Sequence, residues 1–405
     1  MRVLMFGWEF PPFRAGGLAT ATMGLVKGLA RRGVDVTLVV PFVADESTLP
    51  GLRLVSAPRV GERLATRRLD ALLSPYTTAA TYAVERARTP TAVYGRDLFT
   101  EVDRYAALAG AIAADEPHDV IDTHDWLTFA AGLHARSISS RPMVAHIHAT
   151  ELDRAATGNE NPAILGRERD GLHAANRIIA NSRFLERRVV DDFGVAAERV
   201  DVVHWGVDGP RIDPSEPVER ALSRPVVLFV GRVTYQKGPR YFVDLARRVA
   251  AFLPRARFVI AGDGDAFREI VDYAADTGVA DRILFTGGLS QADVQRVYQM
   301  ADVCVMPSVH EPYGLVALES IRNGTPCIIP IGSGVAEVLQ NAFKVDFWDV
   351  DAMTNAVVAL ARYPVLHDTL RERGLDELNE PRFTLDEPAR RTEAVYQHAI
   401  EDAAR

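Results

Sequence analysis

The chain has 405 residues, 48% hydrophobic and 25% charged, with a net charge of −8 and an isoelectric point near 5.7. That length exceeds a single hydrophobic core and predicts two domains of roughly 200 residues. The acidic balance argues against nucleic acid or an anionic membrane surface as partner, and no run of about 18 apolar residues offers a membrane span.

The apolar run at Met1–Gly7 stops at Trp8-Glu9, too short for a signal peptide and suited to a first strand. The loop 8–17 then ends in Gly16-Gly17 at a helix start, where glycine lets the backbone approach a phosphate. A plain helix-start turn has the same appearance. A helix over 17–32 and a strand over 34–40 complete a βαβ unit, which implies a parallel sheet with a right-handed crossover. Residues 43–105 show no clean period and are expected to be excursions from the sheet.

Regularity returns with a strand over 119–126, a helix through Arg136, a strand over 142–148, and strands over 177–182 and 200–207. Their polar residues, among them Asp125 and His148, fall at the carboxyl edge, where open α/β sheets bind ligands. His146 and His148 stand two apart on one strand face and would make half of a zinc site. No third ligand with metal spacing is evident, so no metal is expected. His148, at the strand tip, is read as a ligand contact and His146 as structural.

Residues 205–225, rich in Gly, Pro and charge, read as a linker. Strands restart over 225–232 and recur over 258–262, 283–287, 303–306 and 326–330, predicting a second doubly wound domain. At the end of its first strand, Arg232 is followed by Lys237-Gly238 at a helix start. Two cations beside a helix N-terminus suit a diphosphate, although surface charges would look alike. Asp263-Gly264-Asp265 reads as turn chemistry. The cysteines, Cys304 and Cys327, lie in apolar runs without ligand spacing, as buried thiols in a reducing cytoplasm do.

The densest stretch is His310–Glu319. An apolar strand ends before Glu311, and a helix over 314–323 would aim the amides of Gly314, Leu315 and Val316 at an anion. Glu311 and Glu319 flank that start, one placed for a sugar and the other for ribose hydroxyls. A cap and a solvated helix residue are the plainer readings. The final stretch, 383–405, is an amphipathic helix that closes the second domain or returns to the first.

Taken together and in order, Gly16-Gly17, His124-Asp125-Trp126, His148, Arg232-x4-Lys237-Gly238 and Glu311-x7-Glu319 resemble the retaining glycosyltransferases. The family includes glycogen synthases, sucrose synthases and bacterial mannosyltransferases, and the likeness covers nearly the whole chain. It implies an α/β GT-B fold, two Rossmann-like domains facing across a cleft. Residues 1–207 plus the returning helix 383–405 would form the acceptor-side domain, and 208–382 the nucleotide-sugar domain.

The resemblance also implies roles. Glu311 contacts the donor sugar and its developing positive charge, and Glu319 the ribose. Arg232 and Lys237 hold the diphosphate, and the amides of Gly17, Leu315 and Val316 support it. His148 touches the sugar and Asp125 sits by the acceptor. No divalent metal and no cofactor is implied. Retention would follow from same-face attack, with the donor enclosed as the domains close about a hinge near 206–209.

Trp8–Pro12 and Lys344–Asp349 resemble a subgroup linked to α-glucan metabolism, although Arg14-Ala15-Gly16-Gly17, with Arg one position before Ala15, stands where glycogen synthases usually carry a Lys-x-Gly-Gly loop. The expectation is glucosyl transfer from an ADP- or UDP-linked donor to a carbohydrate, an α-glucan included. The alternative is a mannosyl- or other hexosyltransferase acting on a small molecule, lipid or surface glycan. An epimerase, a phosphorylase (which would need a suitably placed cofactor lysine) and a non-catalytic sugar-nucleotide binder are the rivals. Glu311, outside any hydrophobic run, is expected to tolerate replacement by Ala without loss of folding.

Overall fold

A computed structural model of the chain describes residues 1–7, 17–42, 55–56, 64–70, 78–88, 96–155, 158–207 and 225–405. Gly16, the Trp8–Pro12 motif, Arg14 and linker residues 208–224 lie outside the described residues. The chain divides into two compact units. Unit 1 comprises Met1–Glu151, Asn161–Gly206 and Leu385–Arg405, and unit 2 comprises Leu152–Glu160 and Val207–Thr384.

Unit 1 is built on β1 (Arg2–Phe6), β2 (Asp35–Phe42), β3 (Val55–Ser56), β4 (Leu64–Asp70), β5 (Val120–His124), β6 (Met143–Ile147), β7 (Arg177–Ala180) and β8 (Val200–Val202). Their order is β3-β4-β2-β1-β5-β6-β7-β8, with parallel pairing except at the edge pair β3–β4. Unit 2 carries β9 (Val226–Val230), β10 (Arg257–Ala261), β11 (Ile283–Gly287), β12 (Val303–Val305), β13 (Cys327–Pro330) and β14 (Phe343–Val345). These run β11-β10-β9-β12-β13-β14, all parallel. The continuous apolar runs in the central strands follow from this. In β1, Val3 to Phe6 are all buried, as a parallel strand covered by helices on both faces requires.

Strand order reverses between β1 and β5 in unit 1 and between β9 and β12 in unit 2. At such a switch point the loops at the carboxyl edge diverge and leave a crevice. The residues that follow β5, β9 and β12 are Asp125, Gly231-Arg232 and Met306–Glu311. The sheet topology thus sets Asp125, Arg232 and Glu311 at the two switch points, and His148 one strand further on, beyond β6.

The expectation for 43–105 is corrected. β4 pairs with β2 over seven residues, from Val36↔Leu64 to Phe42↔Asp70. The helices Ala79–Arg88 and Leu98–Ala111 bring Tyr82, Leu98, Val102 and Tyr105 into the core. The sequence of β4, Leu-Ala-Thr-Arg-Arg-Leu-Asp, carries two arginines and lacks the apolar run of the central strands. The helix at Leu98 does announce itself, through a capping box between Asp97 and Thr100. The strand expected over 200–207 shortens to β8, and β14 was not anticipated.

The last helix, Asp386–Ala403, belongs to unit 1 and lies against the helix Gly17–Arg31. Gly28 makes that approach possible, because a Cβ there would lie 2.6 Å from Ala389 Cβ and 2.7 Å from the Leu385 carbonyl oxygen. Among the described residues, no helix is long and apolar enough to cross a membrane.

Candidate active site

In unit 2 the loops after β9, β12 and β13 are stitched together by backbone. The Val309 amide donates to the Gln236 carbonyl at 2.9 Å, and the Gly334 amide to the Glu311 carbonyl at 3.1 Å. Gly238, in the left-handed region at φ 64°, packs so tightly that a Cβ would meet the Pro307 carbonyl oxygen at 2.0 Å. Only glycine meets both demands.

This frame brings together residues 74 apart in sequence. Lys237 Nζ donates to Glu311 Oε2 at 2.7 Å, and Ser308 Oγ donates to the same oxygen at 2.9 Å. The Glu311 side chain is 6% exposed and that of Lys237 20%. Glu311 lies outside any hydrophobic run, yet its carboxylate is half of a largely desolvated ion pair. Arg232 directly follows Gly231 at the β9 edge and is half-buried.

Gly314 is the N-cap of the helix Leu315–Arg322, with φ 113° and no side-chain capping bond. Among the described residues, the Leu315 and Val316 amides donate to no backbone carbonyl outside the helix. On the same helix, Glu319 Oε2 accepts from the Tyr298 hydroxyl at 3.1 Å. Burial raises the Glu319 carboxyl above the ordinary range, with the Tyr298 bond opposing in part. Asp263 and Asp265 cap the following Gly264 and Ala266 amides, so this Asp-Gly-Asp is a turn, as expected.

In unit 1, β5 and β6 run parallel with His124 opposite His146, and His148 lies just beyond β6. The expectation that no third ligand stands near His146 and His148 is corrected: His124 joins them, with ligand nitrogens of all three within 4.8 Å of one another. The missing signal was strand register, which sequence spacing does not display. The rings of His124 and His146 stack at 4.6 Å and 14°, and those of His124 and His148 at 5.1 Å and 19°. Stacked rings send their nitrogens along parallel directions, whereas ligands of one tetrahedral ion converge on it.

What the nitrogens do meet is a hydrogen-bonded chain. His124 Nδ1 lies 2.9 Å from His148 Nε2, and His124 Nε2 lies 3.2 Å from Asp122 Oδ2. His146 Nε2 stands 3.4 Å from Asp122 Oδ1, and the Tyr396 hydroxyl donates to Oδ2 at 2.6 Å. Asp122 is fully buried. Burial works to raise its carboxyl, but the His146 and His124 rings and the hydroxyl of Tyr396 hold it below the ordinary value. Burial pushes His146 down to about 4 and His148 well below its usual value, so both are neutral at pH 7.

His148 is held on every side. Its amide donates to Asp125 Oδ1 at 2.7 Å, its carbonyl accepts from Asn181 Nδ2 at 3.1 Å, and its ring lies 5.2 Å from that of Trp205. Asp125 itself, buried at φ 60°, donates its amide to the His146 carbonyl. A non-glycine residue in that region is strained, and the strain is retained where surroundings over-determine it. Of the residues named from sequence, Glu311, Lys237 and Gly314 thus come together in unit 2, and His148 and Asp125 in unit 1. Sequence reading missed Ser308 and Gln236 and gave no site role to Asp122, Asn181, Tyr298 or Tyr396, of which Asn181 and Tyr396 counted only toward the family resemblance. Asp122 carried the one available signal, a carboxylate inside a central apolar strand.

Two doubly wound domains with polar residues gathered at each switch point define the GT-B class of fold. Residues 213–374 match the profile "Glycosyl transferases group 1" and residues 15–209 match "Glycosyltransferase Family 4". The chain belongs to this glycosyltransferase family, whose members move a sugar from a nucleotide-sugar donor. A glycogen synthase of Mycobacterium tuberculosis is 28% identical over 84% of this chain and 80% of its own length. A D-inositol 3-phosphate glycosyltransferase of Mycobacterium bovis is 28% identical over 82% of this chain and 70% of its own. The structure of a sucrose-phosphate synthase from Thermosynechococcus elongatus superposes with a TM-score of 0.78 at 19% identity, covering 99% of each chain.

Proposed function

We propose that the protein is a retaining, metal-independent hexosyltransferase that moves glucose from ADP- or UDP-glucose to a carbohydrate acceptor, an α-glucan in the first instance. The observation that carries this reading is the Glu311 carboxylate at the β12 switch point, held by Lys237 and Ser308 beside the helix start at Gly314. Both hydrogen bonds fall on Oε2, which leaves Oε1 for sugar hydroxyls and the developing positive charge.

Arg232 and Lys237 neutralise the departing diphosphate, with the amides of Leu315, Val316 and Gly17, and such fixed charges lower the barrier because they are oriented before reaction begins. Two cations there supply the charge stabilisation a divalent ion supplies elsewhere. Glu319, its carboxyl raised by burial, accepts the ribose hydroxyls. His148 meets the sugar and Asp125 lies toward the acceptor. Residues 1–207 with 383–405 would act as the acceptor-side domain and 208–382 as the nucleotide-sugar domain. Likeness to a glycogen synthase supports the glucan. Comparable likeness to an inositol-phosphate glycosyltransferase supports a second reading, a phosphorylated small-molecule acceptor.

The test is a donor screen by released nucleoside diphosphate, with ADP-, UDP- and GDP-sugars, glucan primers and inositol phosphate as arms. Primer-dependent release from ADP- or UDP-glucose with an α-linked product supports the proposal. Release only with inositol phosphate, or a β-linked product, would replace it.

A further inference from the structure

The chain Tyr396–Asp122–His124–His148 is a series of donors and acceptors joined end to end. An ionised carboxylate only accepts, so the His124 nitrogen facing Asp122 Oδ2, Nε2, carries a proton. Where that imidazole holds this single proton, His124 Nδ1 is bare. The 2.9 Å contact between that nitrogen and His148 Nε2 needs one proton, which must then sit on His148 Nε2. His148, also neutral, is left with a bare Nδ1.

We infer that Asp122 is a positioning residue that sets the tautomer of His148 through His124, so that His148 offers Nδ1 to the substrate as a hydrogen-bond acceptor. Among the described residues, His148 Nδ1 has no hydrogen-bond partner. The ring lines a small cavity, with room for about one water, together with Leu25, Asn181, Trp205 and Thr392. An acceptor at this position selects a substrate group that donates, such as a sugar hydroxyl, and gains nothing from fluorine or an ether oxygen. The functional consequence rests on the proposal that His148 meets the sugar, whereas the tautomer itself does not.

The Asp122–Tyr396 bond adds a structural tie. It places a second donor on the same Oδ2 that His124 meets, linking the last helix to β5 at 2.6 Å. The inference is confined to hydrogen-bond direction. No covalent step and no net proton transfer is involved.

The test is long-range ¹H–¹⁵N correlation of the full chain labelled at histidine, with His124→Gln and His148→Gln to assign the signals. The expected result is Nε2–H with bare Nδ1 on both His124 and His148 at neutral pH. In Asp122→Asn the amide can donate as well as accept, so the His124 pattern should invert and His148 should gain Nδ1–H. Turnover should then fall about 10- to 100-fold, as when the carboxylate that orients a metal-bound histidine is removed, with nucleoside diphosphate affinity unchanged.

Tyr396→Phe removes one donor but keeps the carboxylate, and should preserve the wild-type tautomers. An Nδ1–H on His148 in the wild type, as a doubly protonated His124 would impose, overturns the inference. So does stoichiometric Zn²⁺ binding that collapses the histidine signals, or unchanged turnover in an Asp122→Asn protein whose tautomers have inverted. Should Asp122→Asn fail to fold, the wild-type spectrum alone decides. A protein that transfers no sugar but shows the expected tautomers would refute the proposed function and leave the assignment standing.

Discussion

Replacing Glu311 separates its structural work from its chemical work. Glu311→Ala leaves Lys237, 20% exposed, without its carboxylate and Ser308 without its acceptor. Removing one partner of a fully buried pair costs about 3–5 kcal/mol. Partial exposure of Lys237 lets water compensate, which reduces this to roughly 1–3 kcal/mol. For a unit of this size each kcal/mol shifts the melting temperature by about 2–4 °C, so unit 2 should melt roughly 2–12 °C lower. Glu311→Gln keeps an acceptor oxygen for both donors and should melt much closer to wild type. Both variants lose the negative charge, and transfer should fall about 10²- to 10³-fold in each, the scale for one preorganised electrostatic group. Thermal unfolding beside initial rates of nucleoside diphosphate release measures both effects. A folded Glu311→Gln protein with near wild-type turnover would refute the catalytic role, and a Glu311→Ala protein melting with wild type would refute the ion-pair argument.

Gly238→Ala should destabilise unit 2 and raise KM for the donor, because the added Cβ meets the Pro307 carbonyl at 2.0 Å beside Lys237. Gly278→Ala, at φ 71° with nothing within 4 Å, should cost only about 1 kcal/mol for its positive φ. His148→Ala should keep nucleoside diphosphate affinity by calorimetry and lose turnover worth about 2–4 kcal/mol. Arg232→Ala should do the opposite first, weakening nucleotide binding. Chelator should leave the rate unchanged, and a complete loss restored by Mn²⁺ or Mg²⁺ would contradict the metal-independent reading. Glu319 has a raised carboxyl in the folded state, so its protonated form favours folding. That contribution is present below the ordinary carboxylate value and is lost as pH rises through the raised one. Glu319→Gln should therefore melt no lower than wild type at pH 8 while binding nucleotide more weakly; a marked drop in melting temperature would sink the assignment.

The sequence by itself determined the alternation of strands and helices, the parallel sheets and most of the chemical inventory. Apolar runs such as Val3–Phe6 and Val226–Phe229 can be buried only as central parallel strands, and turn signals such as Gly33 and Gly324 punctuate them. Glu311, Lys237 and His148 were legible because each stands where an apolar run stops, which in a parallel sheet is the carboxyl edge. The segment 43–105 was not legible, because β4 carries Arg67 and Arg68 in a strand whose partner decides its conformation.

Only the tertiary structure decided who meets whom. Lys237 and Glu311 are 74 residues apart and share an oxygen with Ser308 because β9 and β12 are sheet neighbours. Asp122 and Tyr396 are 274 apart and bond because the last helix returns to unit 1. His124 became the third histidine through parallel register with His146. Local sequence sets propensity and burial, which act over a few residues. Strand order and register bring distant residues within 3 Å, and the direction of each proton in that buried chain follows from contacts that only the fold creates.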